Sequence, residues 1–277
     1  MRIDSHQHFW KFDSSRDSWI DDEMAVIRRD FLPADIEPVL IENKIGGCIA
    51  VQADQSEEET HFLLDLAVRH DFIKGIVGWV DLCDENVEER LAYFSKFDKL
   101  RGFRHIIQAE PEVDFMLKPD FCRGISTLKK FGFTYDILVY SEHLPSVTEF
   151  VSRFPDQPFV INHLAKPLIS EGKIEDWKKH MTAIASFPNV FCKLSGMVTQ
   201  ADLKTWQPSD FKPYIEVVIE SFGINRVMFG SDWPVCLLGA SYKQCCLILE
   251  QNTLHLSRVE NEKLWGLNAI DFYQLGS

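Results

Sequence analysis

Eight times in succession the chain passes from a short run rich in β-branched and aromatic residues to a longer segment with apolar residues at helical spacing. The strand-like runs are residues 2–8, 47–52, 75–81, 102–107, 134–140, 159–164, 190–195 and 227–232. Helix-like stretches lie between them: 34–43 after Pro33, 57–70, 86–97, 120–131, 142–154, 174–187 and 211–222. In 57–70, Phe62, Leu63, Leu66 and Ala67 recur at helical spacing. Two further helical stretches, 242–251 and 259–275, follow the eighth run. Parallel strands need a crossover, usually a helix, so repeated alternation predicts a parallel α/β sheet. Eight repeats without a Gly-rich dinucleotide fingerprint favour a closed (β/α)8 TIM barrel over an open doubly wound sheet.

No composition break or low-complexity linker divides residues 1–277, and that length suits one barrel as a single domain. One connection, residues 9–32, is long, carries Trp10, Phe12 and Trp19, and lacks helical spacing. It reads equally as an active-site lid and as a packed surface excursion. No apolar run reaches the ~18 residues a membrane span needs. The first residues read directly as a strand, without a basic segment and apolar signal core, so a chain that starts at Met1 and stays in the cytoplasm is expected. A net charge of −13 repels nucleic acid and anionic membranes at long range, leaving a small-molecule substrate and a possible homo-oligomer as expected partners. The seven cysteines form no CxxC pair, and Cys48 and Cys192 sit in apolar runs, so reduced structural thiols are expected.

Barrel sites form where strands end at their C-terminal side. His6 and His8, two apart on the first strand, face the same way, and neutral imidazoles suit one cation such as zinc. Alone, such a pair reads more readily as two hydrogen-bonded loop histidines; His163 and Asp232 at later strand ends turn the balance toward a catalytic cluster. Asp232 closes a very apolar run, where a buried carboxylate must be paired, hydrogen-bonded or bound to a cation. It can ligate a metal or take a proton from attacking water; the bland reading is a helix N-cap. Only one of Arg104 and His105 can face inward on a regular strand. An inward Arg104 would anchor a carboxylate or lactone oxygen, and an outward one would be a rim ion pair. Trp10, Tyr140, Trp79 and Trp233 could pack on the apolar face of a sugar ring, although core packing suits Trp79 better. His61, His70, His143, His180 and His255 fall away from strand ends and are expected at the surface.

With these residues in view the chain resembles the amidohydrolase superfamily, and more narrowly its TIM-barrel hydrolases that include L-fuconolactonase, L-rhamnonolactonase and 4-sulfomuconolactonase. The likeness runs nearly end to end. It is carried by Asp4-Ser5-His6-Gln7-His8-Phe9-Trp10, Arg29-Asp30-Phe31-Leu32-Pro33, Val51-Gln52-Ala53 with Glu59-Thr60, and Gly102-Phe103-Arg104-His105. Further carriers are Asn162-His163-Leu164-Ala165-Lys166-Pro167, Lys193-Leu194-Ser195-Gly196 and Phe229-Gly230-Ser231-Asp232-Trp233-Pro234. The first and last are specific by themselves; the others are specific only together.

The resemblance implies that His6, His8, His163 and Asp232 form a metal or proton-transfer cluster. Water would attack a lactone carbonyl, Asp232 and His163 would be catalytic, and Arg104, His105, Trp10, Tyr140 and Trp233 would bind substrate. One divalent metal, zinc foremost, is implied rather than two, because Lys166 and Lys193 are imperfect candidates for a carboxylated bridging lysine. Some lactonases of the superfamily require no metal. A sugar-lactone hydrolase is therefore the leading expectation. A metal-dependent decarboxylase of a small unsaturated acid comes second, and a non-catalytic ligand-binding barrel third.

Overall fold

The structure, a computed structural model, describes residues 1–276. Eight parallel strands run in sequence order: β1 Ile3–Gln7, β2 Gly47–Val51, β3 Ile73–Gly78, β4 Leu100–His105, β5 Thr134–Ile137, β6 Phe159–Ile161, β7 Val190–Leu194 and β8 Val227–Phe229. The crossover helices are α1 Pro33–Glu42, α2 Glu57–Arg69, α3 Val87–Phe94, α4 Pro119–Leu128, α5 Leu144–Arg153, α6 Glu175–Ala185, α7 Lys212–Phe222 and α8 Tyr242–Asn252. The sheet closes on itself through a parallel bridge between Gln7 and Trp233, so the chain is a single (β/α)8 barrel.

Local sequence explains the elements. Strand residues are buried on both faces, which is why runs such as β2 and β6 are continuously apolar and do not alternate. In α2, Ser56 accepts a hydrogen bond from the Glu59 backbone N–H, and three glutamates occupy the first turn, where the helix dipole favours them. Its Leu63, Leu64, Leu66 and Ala67 are buried against the barrel.

After α8, two short helices, α9 Arg258–Glu262 and α10 Asn268–Phe272, flank a π-turn over Lys263–Leu267. The stretch read as one helix over 259–275 is thus broken. The tail seals the bottom of the barrel, where Ala269, Phe272, Tyr273 and Leu275 pack with Ile3, Ile49, Val51, Val77, Val160 and Met228. Gly266 lies so close to the first strand that a Cβ there would meet the Met1 carbonyl oxygen at 2.1 Å.

All eight strands end one to three residues before the runs read from sequence, and several of the polar groups expected on them stand in the loops that follow. The largest departures, three residues each, are β3, β5, β6 and β8, which stop at Gly78, Ile137, Ile161 and Phe229. Strand β1 is also irregular: its register against β2 shifts between Asp4 and Gln7. Ile3 packs in the lower interior, so strict alternation would send His6 and His8 outward; the irregularity turns both into the barrel.

Residues 9–32 pack onto the barrel and also reach its mouth. Trp10 and Phe31 pair in an antiparallel bridge, and Ile20, Ile27 and Phe31 are buried, while Trp10 and Trp19 line the cavity at the barrel mouth. The histidines expected at the surface are not all there. His143 is buried, with Nδ1 3.3 Å from the Tyr140 carbonyl, and His61 packs between Tyr93, Phe94 and Phe97. His70 and His180 are half-buried, and His255 alone of the five is exposed. Among the described residues no helix is long and apolar enough to cross a membrane.

Candidate active site

Four ring and carboxylate groups converge at the C-terminal end of the barrel. His6 Nε2 lies 3.2 Å from His8 Nε2, and Asp232 Oδ1 lies 3.3 Å from His8 Nε2, 3.8 Å from His6 Nε2 and 3.7 Å from His163 Nε2. Each group is held from behind. His8 Nδ1 donates to the Val51 carbonyl at 2.7 Å, which fixes the ring and leaves Nε2 bare. His163 Nδ1 meets Ser195 Oγ at 2.9 Å, and Gly196 lets the loop close on that ring, since a Cβ there would sit 2.4 Å from Nδ1.

Asp232 takes left-handed backbone (φ 59°), and its N–H donates to the His6 carbonyl at 2.8 Å, while His8 N–H donates to the Trp233 carbonyl at 2.7 Å. Strand β1 and the segment after β8 are thereby stitched together at the site itself. Asp232 makes no N-cap; its carboxylate faces the imidazoles.

Behind this ring lies a layer that sequence reading left unassigned. Asp4 is fully buried and accepts from Ser231 N–H, Ser231 Oγ, Tyr242 OH and His6 N–H. Burial raises its carboxyl to about 6, against those four hydrogen bonds. On β7, the Lys193 ammonium contacts Asp136 Oδ2 at 2.6 Å and His6 Nδ1 at 3.3 Å; Asn162 and Tyr273 OH donate to the same Asp136 carboxylate. The signal was present in sequence: a charge inside an apolar run, as in Phe191-Cys192-Lys193-Leu194 or Tyr135-Asp136-Ile137, must find a buried partner.

From Gly102 to His105, β4 pairs with β5 without a register shift, so of Arg104 and His105 only Arg104 enters the barrel. Its Nη2 donates to the Gln52 backbone oxygen and to Gln52 Oε1 at 3.1 Å, and Nη1 lies 3.3 Å from His6 Nε2. His105 points the other way, contacting Glu110 at 2.7 Å and stacking on Phe115, so the expectation that it binds substrate is corrected. Trp233 is corrected likewise: it is buried against Phe9 and Phe31, outside the cavity wall. Trp10 and Tyr140 do line the cavity, which holds about 390 Å³ and opens onto His8, Arg104, His163, Lys166 and Asp232. Trp79 is half-buried and stands outside that wall.

Electrostatically the site is an ionised carboxylate among neutral imidazoles. Burial alone would raise the Asp232 carboxyl, but His163, His8 and Lys166 outweigh it and hold it below the ordinary carboxylate value. Burial lowers His163 to about 3 and pushes His8 down; burial and the adjacent Lys193 ammonium put His6 well below its usual value. Lys166, half-buried in the cavity wall, is brought down to about 8 by desolvation.

The donor set fits one divalent cation. His8 Nε2 and Asp232 Oδ1 are both bare acceptors 3.3 Å apart, a contact that a cation between them relieves. With His6 Nε2 the three ligand atoms lie 3.2–3.8 Å apart, close to the edge of a tetrahedron with bonds of about 2.0–2.2 Å. His6 can offer Nε2 only when Nδ1 carries the proton, which requires the Lys193 ammonium to turn wholly toward Asp136.

The amidohydrolase family model matches residues 3–275. The L-fucono-1,5-lactonase of Burkholderia multivorans is 39% identical over 286 residues, covering 99% of this chain and 96% of the relative. The L-fucono-1,5-lactonase of Burkholderia ambifaria is 34% identical over 289 residues, again covering 99% and 96%. A crystal structure of an amidohydrolase from Burkholderia multivorans with bound zinc superimposes with a TM-score of 0.97 at 38% identity, covering 100% of both chains.

Proposed function

This chain belongs to the amidohydrolase family, and we propose that within it the protein hydrolyses a sugar lactone of the L-fuconolactone type to the free aldonic acid. The observation that carries the reading is the buried, ionised Asp232 set between neutral imidazoles, facing a cavity lined also by Arg104, Trp10 and Tyr140. The cavity is of a size that encloses a small ligand. Trp10 and Tyr140 offer flat apolar faces, and Gln108 and Arg104 offer groups for ring hydroxyls and the carbonyl. The two fuconolactonase relatives support the substrate class.

The chemistry follows from the residues. Water held beside Asp232 Oδ1 loses its proton to that carboxylate as its oxygen attacks the lactone carbonyl. Asp232 is poised for this because no hydrogen-bond donor other than the histidines competes for Oδ1. Arg104, clamped by Gln52, cannot rotate freely and directs its remaining N–H groups at the carbonyl oxygen, where negative charge grows in the transition state. His6, His8 and Asp232 would hold a divalent metal, which when bound supplies Lewis-acid polarisation of that oxygen. Trp10 and Trp19 limit water at the cavity mouth.

A panel of aldonolactones incubated with the purified protein in a pH-indicator assay tests the reading. Acid release on L-fuconolactone or a close relative is expected, with Asp232→Asn lowering kcat by roughly 10²–10⁴-fold. Lactone turnover unchanged in Asp232→Asn, or no acid release across the panel, sinks it.

A further inference from the structure

We propose that Lys166 is the acid that protonates the ring oxygen leaving the lactone carbon, an inference that rests on the lactonase reading above. The chain after β6 supplies the geometry. His163, Leu164, Ala165 and Lys166 all take left-handed backbone, with φ of 55°, 54°, 54° and 50°. None is glycine, and left-handed conformation costs an L-residue about 1–2 kcal/mol each. Four such residues in a row persist only when their surroundings over-determine them, and such strain gathers at functional sites.

The surroundings do so here. Lys166 N–H donates to the His163 carbonyl at 2.7 Å and closes the turn. Trp177 Nε1 donates to the Leu164 carbonyl at 2.7 Å, and Ser141 Oγ contacts the Ala165 and Lys166 carbonyls at 2.9 and 3.0 Å. In a turn closed by an i to i+3 bond, residues three apart lie one above the other. His163 and Lys166 therefore project together, and both line the cavity that Asp232 faces. An extended exit from β6 would separate them.

Lys166 is also the cavity cation with its donors uncommitted. Its Nζ lies 5.1 Å from the centre of the Tyr140 ring and makes no ion pair or side-chain hydrogen bond among the described residues. Opening a lactone demands a donor: as the tetrahedral intermediate collapses, the bond from the carbonyl carbon to the ring oxygen breaks and its electron pair goes to that oxygen as an alkoxide. Asp232, once it has taken the proton of the water, is the competing donor, and retained kcat in Lys166→Met would assign the step to it. The remaining ionisable groups of the wall are engaged or unsuited. Arg104 cannot surrender a proton. His8 has given its N–H to Val51, and His163 turns one nitrogen to Ser195 and the other toward Asp232. A proton moving from Lys166 Nζ to the alkoxide gives the hydroxyl of the product. The proton that Asp232 took from water returns to the amine through solvent, so the cycle closes with one water consumed.

Leaving-group dependence tests this. The substrates are the best aldonolactone of the panel and its thiolactone analogue, which has the same shape but expels a thiolate that needs no acid, since a thiol ionises near 8.5. Lys166→Met is expected to lose at least 100-fold in kcat on the oxygen lactone and less than about tenfold on the thiolactone, with KM nearly unchanged on both. Lys166→Arg, which keeps the charge but cannot release a proton, is expected to behave like Lys166→Met. Should Lys166→Met fail to fold, Lys166→Asn carries the same test, because asparagine tolerates left-handed backbone. Equal losses on the two substrates, a rise in KM with kcat retained, or recovery of activity in Lys166→Arg would overturn the assignment while leaving the lactonase reading intact. A wild-type protein inactive on both substrates overturns both.

Discussion

Asp4 and Ser231 lock the first strand to the end of the last: Asp4 Oδ1 accepts from Ser231 N–H at 2.9 Å and Oδ2 from Ser231 Oγ at 2.6 Å. The lock stands one residue before Asp232 and two before His6, so barrel closure and site geometry share one carboxylate. Asp4→Ala leaves Ser231, Tyr242 and the His6 N–H without an acceptor in a buried place. A loss of about 2–4 kcal/mol is expected in urea unfolding, together with a fall in kcat, because unsatisfied buried donors carry their full desolvation penalty. Stability within 1 kcal/mol of wild type would refute the lock.

The Lys193–Asp136 pair under His6 is fully buried, and removing one partner strands the other charge. Lys193→Met or Asp136→Leu alone is expected to destabilise by about 3–5 kcal/mol. The combined Lys193→Met and Asp136→Leu protein is expected to be more stable than either single variant, and a double-mutant cycle read by denaturant unfolding checks the coupling.

Glu59 at the start of α2 accepts from the backbone N–H groups of Ala53 and Asp54, and burial raises its carboxyl to about 7. Its folded value lies above the ordinary carboxylate value. Its contribution to stability is thus fully present below about 4.5 and is lost as pH rises through about 7. Unfolding free energies measured between pH 4.5 and 8 should fall less steeply in Glu59→Gln than in wild type. Identical slopes count against the assignment.

Zinc added to chelator-treated protein is expected to raise the Tm, with about 2.7 kcal/mol gained at a hundredfold excess over Kd. His8→Ala removes a ring that faces both His6 and Asp232, so the zinc-dependent rise should vanish in that variant. A rise of equal size in His8→Ala would place the ion elsewhere.

The barrel was legible because each strand is buried on both faces and each crossover is amphipathic, so strand and helix write different periods into the chain. The HxH pair, His163 and Asp232 were legible because ionisable groups ending apolar runs need a reason to be there. Three things were hidden. The register shift in β1 leaves no trace in residue type, yet it turns His6 and His8 inward. The left-handed turn at His163–Lys166 contains no glycine to announce it, so the run read through to Leu164. The outward course of His105 depends on β4 being regular up to its last residue, where local sequence permits either side.

The tail beneath the barrel is wired to the catalytic rim. Tyr273 OH binds the Asp136 carboxylate that pairs with Lys193, and Lys193 in turn reaches His6 on the first strand. The last helical turn and the first strand thus share one chain of polar contacts through the barrel floor. Loosening the tail at Tyr273 takes a donor from the carboxylate that anchors Lys193, so a change far from the cavity is felt at a ring that faces it.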